Sequence, residues 1–211
     1  MKSLIFLYLT LGFLCNSYAQ ETDVADKLKD IKTVDGIYNF INHLDLSKEN
    51  LNFVLDLWKQ DKDKYPDLPW KLISEDISRI AIASNLIQGR RQCLIDIDMD
   101  EPHDFVLAKS KSKDLSVKGR ALSVIGLAGY ESDIPYLASI VLDEQEGFAE
   151  GASLSIFFIG SSSALTSLDD LERKVKTEGL KNFLAHLIED KKSPDKVFSM
   201  DCFKASRLDG T

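Results

Sequence analysis

Val117-Lys118-Gly119-Arg120-Ala121-Leu122-Ser123-Val124-Ile125-Gly126 is the stretch on which the fold turns. Its apolar and small residues recur at spacings of three and four, the period of a helix with one packed face. The same pattern returns about 31 residues later as Phe148-Ala149-Glu150-Gly151-Ala152-Ser153-Leu154-Ser155-Ile156. It is echoed after about another 32 as Leu180-Lys181-Asn182-Phe183-Leu184-Ala185-His186-Leu187-Ile188. A fixed period of this size marks one supersecondary unit used repeatedly. Second helices are expected between the copies, over 134–142, with Pro135 in the first turn, and over 164–175. Ala121, Ala152 and Ser155 are small enough for neighbouring helices to approach closely. Leu122, Ile125, Leu137, Val141, Ile156, Leu168 and Leu171 are the expected core. One such hairpin cannot bury its apolar face alone, whereas a stack of them buries a continuous strip.

Working outward, the helical period also governs the first half. Val24, Leu28 and Ile31 open a short amphipathic segment, and Val34, Ile37, Tyr38, Ile41 and Leu44 continue it. Ser47 has the position of an N-cap for a helix through Leu51, Val54, Leu55 and Trp58. Residues 60–69 are a charged loop with Pro66 and Pro69. Residues 70–88 read as one long helix that Gly89 ends.

The second half resembles the HEAT-like repeats of many bacterial proteins. That pattern has an acid in the turn, a β-branched or apolar residue, a basic residue, paired Ala and a Leu-Gly. It appears here as Val117-Lys118, Ala121 and Ile125-Gly126, and again as Asp143, Phe148, Ala152 and Ile156. The second copy departs from it, with Ala149 where a basic residue is usual and Phe157 where Gly is usual. The resemblance spans roughly 70–190 and implies an all-α fold: a short right-handed α-solenoid of helical hairpins with an N-terminal helical extension. It also implies a binding surface in place of an active site. An irregular helical bundle with a chance echo is the plainer alternative.

The 211 residues suit one domain or one short repeat array, and 44% hydrophobic content suits a packed core. The formal net charge of −8 argues against a general nucleic-acid binder, which needs a basic surface. Residues 1–19 read as a secretory leader: Lys2, an apolar core over 4–14, then Ser17-Tyr18-Ala19 before Gln20. A lipoprotein at Cys15 is the rival reading, but Phe13 and Leu14 are large where small residues are usual. The expected layout is a leader at 1–19, an N-terminal helical segment at 20–68, the repeat array at 69–192 and a tail at 193–211. The expected compartment is periplasmic or secreted, with no membrane insertion after the leader is removed. There Cys93 and Cys202 either form a disulfide or serve as small buried apolar residues.

Few constellations promise chemistry. Asp96, Asp98, Asp100 and Asp104 match positions 1, 3, 5 and 9 of a helix–loop–helix calcium loop. Glu101 replaces the Gly of position 6, however, and Leu107 replaces the Glu of position 12. Ile95, Ile97 and Met99 alternate with the acids, which fits a short extended segment with one packed face. His43, His103 and His186 lie at no metal-ligand spacing. Ser161-Ser162-Ser163 after Gly160 reads as a helix cap ahead of a phosphate site. No nucleophile signature and no Gly-rich nucleotide motif occurs, so the sequence reads as non-enzymatic, without a cofactor. The surface left for binding is the second-helix face: Tyr136, Ser139 and Asp143, then Thr166, Asp169, Asp170 and Arg173. Its expected partner is a protein, with a basic one suiting the acidic stripe, and an immunity-type inhibitor of a periplasmic toxin is one form. A calcium- or small-ligand-binding module using the acidic loop is the second reading, and an enzyme without a familiar motif the third.

Overall fold

The computed structural model describes residues 24–143, 145 and 147–192. Residues 1–19, with the expected leader and Cys15, and residues 193–211, with Cys202, lie outside the described residues. The described residues are helical, without strands, and none of their helices is long and apolar enough to cross a membrane. Two compact units divide the chain between Asn85 and Leu86, inside a helix.

The first unit holds α1 (24–29), α2 (Val34–Asn42), α3 (Lys48–Lys59), α4 (Trp70–Ile73) and the start of α5 (Asp76–Arg91). Thr33 caps α2 by accepting from the Gly36 amide, and Ser47, the cap expected from the sequence, caps α3 by accepting from the Asn50 amide. Leu28, Ile37, Ile41, Leu51, Phe53, Leu57 and Ile73 are fully buried. The stretch 70–88 is not one helix. It breaks at Ser74–Glu75, and α5 starts afresh at Asp76. Within this unit Asn85 donates from Nδ2 to the Ile41 carbonyl at 3.1 Å, fixing α5 to the end of α2.

Gly89 does not end α5 either. The helix runs on to Arg91, and Cys93 takes the left-handed conformation with φ of 62°. The Leu94 amide donates to the Gly89 carbonyl (2.9 Å) and the Cys93 amide to that of Arg90 (3.1 Å), the paired bonds of a Schellman cap. Gln60 closes α3 in the same way, with φ of 56°. Cys93 is exposed and disulfide-bonded, so it is not a small buried apolar residue.

The second unit continues with α6 (Asp100–Lys109), α7 (Leu115–Leu122), a 3-10 turn at Ile125–Ala128, α8 (Ile134–Leu142), α9 (Phe148–Ile159), α10 (Ser162–Lys174) and α11 (Glu178–Lys192). The second helices fall within two residues of their expected bounds. α9 packs against α7, the 3-10 turn, α8, α10 and α11, and α8 also packs against α10. A helix so surrounded has little room for large side chains on most of its faces. Accordingly Ala149, Gly151, Ala152, Ser153, Ser155, Ile156 and Ile159 are all buried. Every expected core residue of this half, from Leu122 to Leu171, is buried as well.

The first copy of the repeat does not run unbroken from 117 to 126. α7 stops at Leu122 because Ser155 enters its hydrogen-bond ladder. The Ser155 hydroxyl donates to the Leu122 carbonyl at 2.5 Å, while the Gly126 amide donates to Ser155 Oγ at 3.0 Å. Those two backbone groups would otherwise bond each other in a continuing helix. Gly126 lets α9 come this close. A Cβ there would lie 1.8 Å from the Ser155 carbonyl oxygen.

Candidate functional site

α8 turns Leu137 and Val141 into the core and Ser139 and Asp143 out to solvent. α10 does likewise, burying Ala164, Leu168 and Leu171 while exposing Thr166, Asp170 and Arg173. Because α8 and α10 pack side by side, the two stripes belong to one neighbourhood. Most of its polar groups are tied only locally. Ser139 donates to the Tyr136 carbonyl, Thr166 to that of Ser162, and Arg173 to that of Asp169 while pairing with Asp170 at 3.2 Å. Asp169 is half-buried.

Tyr136 differs from its neighbours on that stripe. It is half-buried, and its hydroxyl lies 3.0 Å from Oγ of the fully buried Ser110 at the end of α6. Its removal would strip a bond from a buried hydroxyl, so Tyr136 serves the fold first.

The four acids of 96–104 do not converge. Asp96 pairs with Arg90 at 3.4 Å, and Asp98 accepts from the Asp100 amide at 3.0 Å at the start of α6. Asp100 accepts from the Tyr130 hydroxyl at 2.6 Å, and Asp104 lies 3.3 Å from His103 Nδ1. All four are exposed, with Ile95 and Ile97 half-buried between them. Among the described residues no group of three His, Cys, Asp or Glu could hold a metal ion. The serine run is spent similarly. Ser161 caps α10 by accepting from the Ala164 amide, and Ser163 donates to Glu131. His43 and His186 are exposed.

The most developed polar constellation is one that spacing did not reveal. His103 on α6 is buried, and its Nε2 donates to Oδ2 of the buried Asp133 at 2.8 Å. The Tyr130 ring stands edge-on to the imidazole, 4.5 Å between centroids. Burial by itself would lower the His103 pKa. The hydrogen bond and charge of Asp133, followed by those of Asp104, outweigh it and raise the pKa above the ordinary 6.5. With Tyr130–Asp100 and Ser110–Tyr136, this pair forms a polar seam that fastens α6 along the 130–136 segment. Arg91 makes a second buried fastening. Its guanidinium donates to the Leu127 carbonyl at 2.9 Å and to the Phe158 carbonyl at 2.5 Å, at the ends of the 3-10 turn and of α9. Burial lowers its pKa to about 10. Helix ends concentrate unpaired carbonyls, which suits a cation there. The signal for both devices is three-dimensional: His103 and Asp133 are 30 residues apart, Arg91 and Phe158 67.

Compared with known proteins, the chain matches no family model, no curated protein and no solved structure.

Proposed function

We propose that the second unit is a short right-handed α-solenoid of HEAT-like hairpins, and that it works by binding a protein through its second-helix face. The observation that carries this reading is the alternation in packing. First helices α7, α9 and α11 adjoin in sequence order, second helices α8 and α10 adjoin each other, and α9 touches every one of them. An irregular bundle has no reason to alternate in this manner. The outward stripe of Ser139, Asp143, Thr166, Asp170 and Arg173 is exposed and makes no bond on which the core depends. Its carboxylates favour a basic partner. Export by the 1–19 leader would place that partner in the periplasm or outside the cell, where an immunity-type inhibitor of a toxin is one form the activity would take. The buried His103–Asp133 pair supports a structural role over catalysis, because neither side chain reaches solvent enough to meet a substrate.

The test is capture from periplasmic extract by the immobilised chain, with the bound protein identified by mass. The parent and an Asp143→Lys/Asp170→Lys variant of unchanged circular dichroism are compared. Loss of one specific protein in the variant supports the reading. Equal capture by both removes this face from consideration.

A further inference from the structure

We propose that the buried His103–Asp133 contact is a pH-operated latch on α8. It holds the first turn of α8 against α6 while the imidazole is protonated on both nitrogens, and lets that turn rearrange when one proton leaves. The regulated surface is the second-helix face, which α8 begins with the exposed Ser139 and Asp143. The inference therefore rests on that face being the binding surface.

Three contacts tie α6 to the segment that leads into α8: Tyr130 to Asp100 at 2.6 Å, His103 to Asp133 at 2.8 Å and Tyr136 to Ser110 at 3.0 Å. Only the middle contact turns on a group that titrates near neutral pH. Its imidazole meets a second carboxylate as well, with Nδ1 3.3 Å from Asp104. A charged imidazolium donates from both nitrogens, whereas a neutral ring donates from one and turns a lone pair to the other carboxylate. Loss of the proton also leaves Asp133, 7% exposed, as a buried anion without a counter-charge. Glu131, in the same short turn as Asp133, accepts from Ser163. α7 and the 3-10 turn Ile125–Ala128 also pack against α6. That turn has no titratable side chain, and α7 brings the cations Lys118 and Arg120, which oppose protonation. The hydrogen bonds and charges of Asp133 and Asp104 prevail, and the folded pKa of His103 stays above 6.5.

Asp133 has a second place to go. It stands at the N-cap position of α8, yet its side chain makes no cap bond and its backbone is helical, with φ of −83° and ψ of −17°. Asp114 shows the other arrangement at the head of α7: an extended backbone, with the carboxylate accepting from the Ser116 and Val117 amides. An Asp133 that has lost its counter-charge gains by adopting it, since a helix N-terminus stabilises an anion. Pro135 has no amide, so the amide to accept from is that of Tyr136. The change from helical to extended backbone undoes the 3-10 turn Glu131–Asp133 and re-aims the first turn of α8. Two discrete arrangements biased by one proton are what a switch requires.

The experiment is amide hydrogen exchange of the purified chain, read by mass spectrometry from about pH 6 to about pH 9 and expressed as protection factors. Protection over 131–142 should fall as pH rises above 6.5, by up to about tenfold per pH unit until the folded pKa of His103 is passed. At the alkaline end it should lie below that of 149–159 in α9 and be indifferent to sub-denaturing urea, which marks local opening. Asp104→Asn, at an exposed position, should move the fall to lower pH. His103→Gln, which donates without titrating, should abolish it. Circular dichroism confirms that each variant is folded. Equal protection of the two stretches, both falling with urea, means that only global unfolding senses the proton, and overturns the latch. So does a fall that neither variant moves. Capture from periplasmic extract over the same pH steps should drop about fivefold or more with the same midpoint, and Asp104→Asn should shift both midpoints together. Capture that ignores pH overturns the regulation. No capture at any pH would refute the binding surface instead, and the exchange arm tells the two apart because it needs no partner.

Discussion

Replacing His103 tests whether the α6 seam is an ion pair. The perturbation is His103→Ala beside Asp133→Asn, and the two should differ. His103 and Asp133 are 2.8 Å apart with side chains 6% and 7% exposed, so the pair is shielded from water on both sides. His103→Ala leaves the Asp133 carboxylate buried without its imidazolium. Breaking a buried pair from one side costs about 3–5 kcal/mol, and loss of the Tyr130 edge contact adds a smaller amount. Asp133→Asn is milder, because His103 can shed its proton and still donate to a neutral amide oxygen. That change should cost about 1–2 kcal/mol. The pH dependence has a definite sign. The folded pKa of His103 is raised above 6.5, so between 6.5 and that folded value the native state binds more protons than the unfolded state. The pair's contribution is complete below the unfolded pKa and is lost as pH rises through the folded one. Urea unfolding at steps from about pH 6 to about pH 9, at constant ionic strength, should therefore show stability falling in the parent. The fall should be shallower in Asp133→Asn, which removes the strongest raising partner, and this titration should be absent in His103→Ala. A cost below about 1 kcal/mol for His103→Ala, or an unaltered pH slope in Asp133→Asn, would refute the ion-pair argument.

Other perturbations follow the same logic. Gly126→Ala should cost about 3 kcal/mol or more in a urea melt, since the new methyl meets backbone at 1.8 Å and no side-chain rotation relieves it. Ala121→Leu or Ala152→Leu should cost roughly 1–3 kcal/mol by overpacking, and a neutral result would put both outside the helix contacts. Cys93 should be found joined to Cys202 by non-reducing peptide mapping. Reduction of that roughly 109-residue loop should destabilise the chain by up to about 4–5 kcal/mol, and a Cys93 peptide joined elsewhere would refute the pairing. Calcium should leave the melting temperature unchanged. A rise of several degrees that disappears in Asp98→Asn would restore the acidic-loop reading.

The helical class, the core of the second half and the second-helix bounds were legible in the sequence because each rests on local periodicity. Leu122, Leu137, Ile156 and Leu168 fall where the period puts them, and all are buried. What escaped the sequence depends on partners distant along the chain. Nothing near Leu122 foretells that α7 stops there, since the hydroxyl that interrupts it belongs to Ser155. Gly89 looks like a terminator by composition, yet the left-handed residue is Cys93, which carries a side chain and a disulfide. His103 seemed unremarkable because its counter-ion arrives with the turn before α8. The outward stripe was half legible. Its period placed Ser139, Asp143, Thr166, Asp170 and Arg173 in solvent, but could not show that Tyr136 reaches back to Ser110.

Two sets of polar groups in the second unit differ in a way that bears on function. Arg91, His103, Asp133, Ser110 and Ser155 are buried, and each bonds across at least 26 residues of sequence. Losing one exposes unsatisfied partners inside the protein, so these residues answer to stability. Ser139, Thr166, Asp170 and Arg173 are exposed and bond within four residues of themselves, so changing them should leave the melt almost where it was. A surface that the fold does not need is available to a partner. Substitutions there that abolish capture without moving the melt would separate binding from folding. Substitutions that move both would mean the stripe belongs to the second helices' own packing, and the recognition face would have to lie elsewhere on the unit.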